Sequence, residues 1–173
     1  FPESYANMGL VRCKLQMMRT TPLPQRIGTM LAAGLTLQHY KCFATCPTLA
    51  ALKARYEREL PEYGKYGIHV LVSQTERGEL TLGDSHEYGS DIEPFDKEVI
   101  DNLVLKYLDT FLPAQHLQIA SRWQGYYAKH PTQAYLVAKP AEKALAVTAV
   151  GGAGMTLSFG LAEQVVNDLL GTT

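Results

Sequence analysis

The order of apolar and polar residues predicts several short strands in the first half of the chain. Residues 11–17 alternate between apolar and polar side chains, the period of two that is typical of a half-buried strand. Residues 68–73 and 79–83 flank a polar segment that ends in a glycine, which predicts a β-hairpin. Residues 30–40 are also predicted to form a strand, although Gly34 interrupts the alternation.

Two amphipathic helices are predicted between proline residues. The first has Thr48 as its N-cap and ends before Pro61, and the second lies between Pro94 and Pro113. The predicted apolar face of the first consists of Leu49, Leu52, Tyr56 and Leu60. That of the second consists of Phe95, Val99, Leu103, Tyr107 and Phe111.

Further strands are predicted in the last third of the chain, at residues 123–128 and 134–138. Residues 144–150 have no polar face, so we expect a strand that is buried on both sides, as in a parallel sheet. Helices and strands thus alternate irregularly, which predicts an α+β fold.

A glycine-rich loop follows the last predicted strand and leads into a helix. It consists of Gly151, Gly152, Ala153, Gly154, Met155 and Thr156. Small residues and the free amides of a helix start favour contact with an anionic or electron-rich group, although such a turn is also typical of plain packing. Leu157 stands where a dinucleotide fingerprint requires its third glycine, so this is not the pyrophosphate-binding loop.

Composition narrows the possible partners. The 173 residues include 16 basic and 17 acidic side chains, so no strong field attracts nucleic acid or an anionic membrane. No apolar run approaches the ~20 residues that span a bilayer. Three cysteines favour a reducing, cytoplasmic location. The first residues contain neither an initiator methionine nor a basic leader, so we expect the chain to begin within a longer protein.

His39, Cys42 and Cys46 form a short cluster of residue types that can bind a metal ion. Their spacing matches no common zinc pattern and no fourth ligand is near them in the sequence. We therefore predict no metal site.

Four segments in this order resemble the FAD-dependent oxidoreductases related to D-amino-acid oxidase, glycine oxidase and sarcosine oxidase. They are CKLQM at 13–17, GELTLGD at 78–84, WQG at 123–125 and GGAGMTL at 151–157. Residues 34–40 and 83–89 further resemble a branch of this family that is associated with phosphonate catabolism.

The resemblance implies a fold, a cofactor and a reaction. Residues 1–139 would form most of a substrate domain, a mixed, largely antiparallel sheet covered by helices. Residues 140–173 would supply the last strand and helix of a Rossmann-like FAD domain whose remainder lies outside this chain. The whole protein would bind FAD non-covalently and oxidise a small amine to an imine, whereas the fragment alone would be inactive. The alternative is a non-catalytic ligand-binding or protein-interaction domain.

The resemblance also implies site residues. The loop 151–156 would contact the pyrimidine edge of the flavin, and His39, Tyr40, His86 and Tyr127 would orient the substrate. Without the resemblance, His86 reads as a solvated loop histidine beside Glu87. For His39 and Tyr40, the sequence without the resemblance predicts one residue that faces the core and one that is exposed.

Recognition of a substrate carboxylate is in doubt for this chain. Tyr127 and Gly154 stand where amino-acid-oxidising relatives place basic residues. A phosphonate would have to use other donors, for which the candidates are His39, His86, Tyr127 and Arg122. Of these, Arg122 is expected to have a structural role.

Overall fold

A computed structural model describes residues 2–171, which form two compact units. The sheet unit comprises residues 14–87 and 93–125. The terminal unit comprises, within the described residues, 2–13, 88–92 and 126–171. In that same part of the chain, no helix is both long and apolar enough to cross a bilayer.

Helices and strands are mixed along the chain, as predicted for an α+β fold. The strands are β1 (Val11–Thr20), β2 (Leu31–Ala32), β3 (Leu71–Gln74), β4 (Leu80–Gly83), β5 (Glu87–Gly89), β6 (Ile119–Lys129), β7 (Leu136–Ala141) and β8 (Ala144–Thr148). The helices are α1 (Thr36–His39), α2 (Leu49–Glu59), α3 (Pro61–Lys65), α4 (Glu98–Leu108) and α5 (Gly154–Leu170). The main sheet has the order β2-β3-β4-β1-β5, with β6 also paired to β1.

The predicted hairpin is confirmed as β3 and β4, which pair antiparallel with Leu71 opposite Gly83. Gly78 in its turn has φ +95°, a value that residues with a side chain rarely adopt. The pairing continues past the strands, since the amide of Asp84 donates to the carbonyl of His69 at 3.0 Å and the reverse bond is 3.2 Å. This extension brings two side chains of the candidate site to one end of the hairpin.

Helix α4 covers the sheet unit with a different face from the predicted one. Ile100, Val104 and Leu108 are at most 1% exposed, whereas Phe95 is 75% exposed. The predicted stripe at 99, 103, 107 and 111 lies one position away from this face. Both stripes of the helix are apolar, so the spacing of apolar residues alone does not show which of the two is buried. Only Leu103 belongs to both the predicted stripe and the core.

The burial of α4 yields a matched test within one helix. We expect Val104→Ala to lower the free energy of unfolding by about 2 kcal/mol, because two buried methyl groups are lost and a cavity remains. Val99→Ala makes the same change where the side chain is 39% exposed, and should cost less than about 0.5 kcal/mol. Urea unfolding of both variants measures the difference, and equal losses would show that Val104 is not in the core.

Helix α2 agrees with the prediction in position and face, but not in its cap. Leu49, Leu52, Tyr56 and Leu60 are half-buried between exposed residues. Thr48 occupies the N-cap position without a side-chain hydrogen bond to the helix. The helix ends at Glu59, and Pro61 starts α3 at a position where its missing amide costs nothing.

The strand predicted over residues 30–40 is wrong for most of its length. Only Leu31–Ala32 form a strand, and Thr36–His39 form a helical turn. The amide of Thr36 donates to the carbonyl of Ala33 at 2.9 Å, so the backbone bends at Gly34 and does not continue in the sheet. This bend places His39 at the end of a helix.

In the terminal unit, β7 and β8 form an antiparallel pair, with Val137 opposite Val147. The expectation of a last strand in a parallel arrangement, buried on both faces, is therefore wrong for the described residues, and Val147 is 40% exposed. The predicted order of strand, glycine loop and helix is confirmed by β8, a short 3-10 turn at Gly151–Ala153 and α5. Gly171 closes α5 in the left-handed conformation, with φ +66°.

Candidate functional site

Three histidines from separate segments of the sheet unit meet at one end of the β3–β4 hairpin. His39 ends α1, His69 precedes β3, and His86 lies between β4 and β5. We call these three residues the histidine cluster. His69 is 2% exposed and His86 is 5% exposed, whereas His39 is half-buried. The cluster is therefore mostly enclosed, with one member facing towards solvent.

The imidazole rings of the cluster are in mutual contact. Ring centroids are 4.1 Å apart for His39 and His69, 4.3 Å for His39 and His86, and 4.7 Å for His69 and His86. The rings of His69 and His86 are nearly parallel, at 19°. One ring nitrogen from each histidine lies within 4.8 Å of those of the other two.

A buried carboxyl group lies beside the cluster. Oδ1 of Asp84 is 3.4 Å from Nε2 of His69, and its Oδ2 is 3.8 Å from Nε2 of His86. Burial raises the pKa of Asp84 to about 7, and a hydrogen bond from its own backbone only partly opposes this effect. Near neutral pH, this carboxyl group is therefore present in both its protonated and its ionised form.

The backbone fixes the orientation of His86. Its amide donates to the carbonyl of Tyr66 at 2.9 Å, and its Nδ1 is 2.9 Å from the carbonyl oxygen of Gly67. Gly67 has φ +55°, and a Cβ at this position would lie 2.9 Å from the carbonyl oxygen of His86. Only glycine permits so close an approach in this conformation.

Tyr40 adds a hydroxyl group to the same region. Its ring meets those of His39 and His69 edge to face, at 5.0 and 5.7 Å. Burial and, to a smaller extent, the charge of Asp84 raise its pKa, so the phenol stays protonated and can donate a hydrogen bond at neutral pH.

A cavity of about 330 Å³ reaches His39 and His69 from the surface. Its polar lining includes Gln38, Lys53 and Glu57. A small polar molecule therefore has a route to the cluster from the side of α2.

Three of the four predicted substrate residues, His39, Tyr40 and His86, are brought together by the structure. The reading of His86 as a solvated loop histidine is wrong, because it is 5% exposed and Glu87 forms its ion pairs with Lys97 and Lys14. His69 and Asp84 were missed. The signal for them was the hairpin register, which pairs residue 69 with residue 84 once the turn is placed correctly.

The fourth predicted substrate residue, Tyr127, lies in the terminal unit together with the glycine loop. A Cβ at Gly151, where φ is +59°, would be 3.7 Å from the Tyr127 ring, and one at Gly152 would be 3.9 Å from its hydroxyl oxygen. Tyr127 thus packs beside the loop.

The loop residues suit a contact with the electron-rich edge of a bound cofactor. Gly152, Met155 and Thr156 are exposed, so the loop is accessible. No side chain caps the start of α5 at Ala153, which leaves the first amides of this 17-residue helix able to donate. A flavin edge that gains negative charge on reduction matches such donors.

Arg122 has the structural role that was expected for it. Its Nε donates to Oδ2 of Asp101 at 2.5 Å, and Asp101 also accepts from Nε2 of Gln16 at 2.6 Å. The guanidinium group of Arg122 therefore forms an ion pair that links β6 to α4.

The metal ligands considered from sequence are replaced by a different set. Cys42 and Cys46 are exposed free thiols. Within residues 2–171, the one group of three potential metal ligands is His39, His69 and His86. Sequence spacing could not reveal this group, because its members are 30 and 17 residues apart.

Comparison with known proteins agrees with the fold and the expected cofactor class. A model of the family described as "DAO: FAD dependent oxidoreductase" matches residues 12–167. Among the solved structures that match is the L-proline dehydrogenase from P. horikoshii, at 20% sequence identity and a TM-score of 0.64. The match covers 95% of this chain and 40% of that one, so the chain spans less than half the length of this structural neighbour. No curated protein sequence matches the chain.

Proposed function

The chain belongs to the FAD dependent oxidoreductase family, and on this premise we propose that the whole protein uses FAD to oxidise a small amine that carries a phosphonate or similar anionic group. The observation that carries the proposal is the mutual contact of His39 with Tyr40 and His86, beside a cavity that His39 lines, in a chain of this family. The structural neighbour is named as a dehydrogenase of L-proline, a secondary amine, and this supports an amine as the reacting group.

Two sets of residues in this chain would serve the reaction. The loop of Gly151, Gly152, Ala153, Gly154, Met155 and Thr156 would hold the pyrimidine edge of the flavin through the free amides at the start of α5. The chemistry that bound FAD supplies is acceptance of a hydride from the carbon next to the nitrogen. The amine loses one proton in the same conversion, and water then hydrolyses the imine product. The chain needs mainly to orient a neutral amine and exclude water.

Tyr40 and the imidazoles of His39 and His86 would orient the substrate. The Tyr40 phenol stays protonated at neutral pH and can donate to an anionic oxygen. The neutral imidazole of His86, whose Nδ1–H points at the carbonyl of Gly67, would present Nε2 as an acceptor to the amine. Tyr127 packs beside the glycine loop, and its contact with the substrate stays a prediction.

A phosphonate suits this donor set better than a carboxylate. Carboxylates are most often held by the planar fork of an arginine. Tyr127 and Gly154 stand at the positions expected for such basic residues, and Arg122 is already bonded to Asp101. Imidazole and phenol groups that lie in contact, such as those of His39 and Tyr40, suit an anion with three oxygens.

The expected substrates test this proposal directly. With the whole protein loaded with FAD and held without oxygen, N-methylated aminophosphonates should bleach the flavin absorption and glycine should not. We expect His86→Gln to lower kcat/KM by about 10²-fold, the usual cost of a misplaced substrate. His116→Gln makes the same change at an exposed histidine and should leave kcat/KM unaltered. Bleaching by glycine alone would contradict the phosphonate assignment.

The state of the cysteines indicates the cellular compartment in which the whole protein would act. Cys13 is buried, whereas Cys42 and Cys46 are exposed free thiols. Free exposed thiols persist in a reducing environment, which supports a cytoplasmic location for the whole protein.

A further inference from the structure

We infer that His39, His69 and His86 bind one divalent metal ion of the zinc type. A ring nitrogen of each lies within 4.8 Å of those of the other two. In a tetrahedral zinc site, with Zn–N bonds of about 2.0–2.1 Å, the ligand nitrogens are about 3.4 Å apart. Binding of the ion therefore requires the three side chains to turn about their torsions until these nitrogens converge on one point.

The hydrogen bond of His86 presents the correct nitrogen for metal binding. Its Nδ1 lies 2.9 Å from the carbonyl oxygen of Gly67, and a carbonyl only accepts, so Nδ1 carries the proton. In the neutral ring, Nε2 then holds the lone pair. A ligating histidine whose other nitrogen donates to a backbone carbonyl is a common arrangement in metal sites.

The position of Asp84 also agrees with a metal site. Its oxygens lie 3.4 Å from Nε2 of His69 and 3.8 Å from Nε2 of His86. These separations are longer than a charge-assisted hydrogen bond, which is about 2.7–2.9 Å. A carboxylate here places negative charge beside the ion.

A metal ion explains three adjacent imidazoles better than protonation does. His69 and His86 are at most 5% exposed, and burial disfavours a charged imidazole. Two or three protonated rings in contact would also repel one another. A metal ion uses the neutral form of every ring, so it concentrates the positive charge at one point that all three lone pairs can share.

Three histidine ligands leave one tetrahedral position open. His39 is half-buried and lines the cavity of about 330 Å³, so an ion and then a small ligand can enter from that side. An anionic oxygen of the substrate would take the open position. This last step rests on the proposed function, whereas the metal site itself does not.

Metal analysis of the whole protein with FAD bound tests the inference. After removal of metals with a chelator and titration with Zn²⁺, we expect one ion per chain by calorimetry and by elemental analysis. His39→Gln and His69→Gln should each weaken Zn²⁺ binding by at least about 10²-fold. His39 is half-buried, so its replacement disturbs folding least, and circular dichroism with urea unfolding reports whether both variants stay folded.

The control is His116→Gln, which should bind Zn²⁺ like the unaltered protein because His116 is exposed and outside the cluster. Absence of stoichiometric Zn²⁺, or binding that His69→Gln leaves unaltered, overturns the inference. Binding of inorganic phosphate to the metal-free protein, lost in His39→Gln, would assign the cluster as a protonated anion site instead. Zn²⁺ binding is measured without substrate, so it can fail or succeed independently of amine oxidation.

Discussion

Lys14→Met is expected to lower the free energy of unfolding by about 3–5 kcal/mol, because two carbonyl groups lose a buried, charged hydrogen-bond donor. Lys14 lies in β1 and is 0% exposed. Its ammonium group donates to the carbonyl oxygens of Glu93, at 2.9 Å, and of Phe95, and lies 4.0 Å from a carboxylate oxygen of Glu87. Methionine fills a similar volume but makes none of these bonds.

Two features of the network determine how much unfolding free energy Lys14→Met removes. The carbonyl groups of Glu93 and Phe95 lose a charged donor, and a polar group left unsatisfied costs about 1–3 kcal/mol each. Glu87 keeps Lys97 as a partner, so its charge is not stranded. The loss therefore arises mainly from the segment before α4, which Lys14 ties to β1.

Lys106→Met is the matched control, since Lys106 is an exposed residue of α4 in the same unit. It should alter the free energy of unfolding by less than about 0.5 kcal/mol. Urea denaturation followed by circular dichroism measures both variants. A loss for Lys14→Met within 0.5 kcal/mol of the control would mean that methionine burial compensates for the broken bonds.

Strand β1 shows what periodicity can and cannot predict. The alternation in residues 11–17 correctly predicted a strand, which extends from Val11 to Thr20. Its most buried alternate positions are Lys14, Gln16, Met18 and Thr20, whereas the apolar Leu15 and Met17 are only half-buried. Polar residues can occupy this face because α4 and β4 supply partners, such as Asp101 for Gln16 and the amide of Leu80 for Thr20. Those partners are 60 or more residues distant, so no local pattern identifies them.

The candidate site could be predicted only in part for the same reason. His39, Tyr40 and His86 were selected through the family resemblance, and the structure brings their side chains together. His69 and Asp84 depend on the exact register of the hairpin, which a glycine turn indicates without fixing the residue pairs beyond the strands. The glycine loop was predicted from strand, small residues and helix, whereas its packing against Tyr127 required the fold.

Gly67→Ala is expected to lower the free energy of unfolding by about 3 kcal/mol, because two costs combine at this position. The first is backbone strain, since Gly67 has φ +55° and alanine in this conformation costs about 1 kcal/mol. The second is a clash, because the new Cβ would lie 2.9 Å from both Cβ and the carbonyl oxygen of His86. A backbone atom cannot rotate away, so the chain around His86 must shift.

Two other glycines separate these costs in the same urea measurement. Gly171 has φ +66° with open space around it, so Gly171→Ala should show the strain alone, about 1 kcal/mol. Gly64 lies in α3 with open space and no positive φ, so Gly64→Ala should raise stability by about 0.5–1 kcal/mol. A loss for Gly67→Ala no larger than that for Gly171→Ala would show that the chain absorbs the clash. If the clash is real, His86 moves away from the carbonyl of Gly67 that orients it, and function at the histidine cluster should be impaired together with stability.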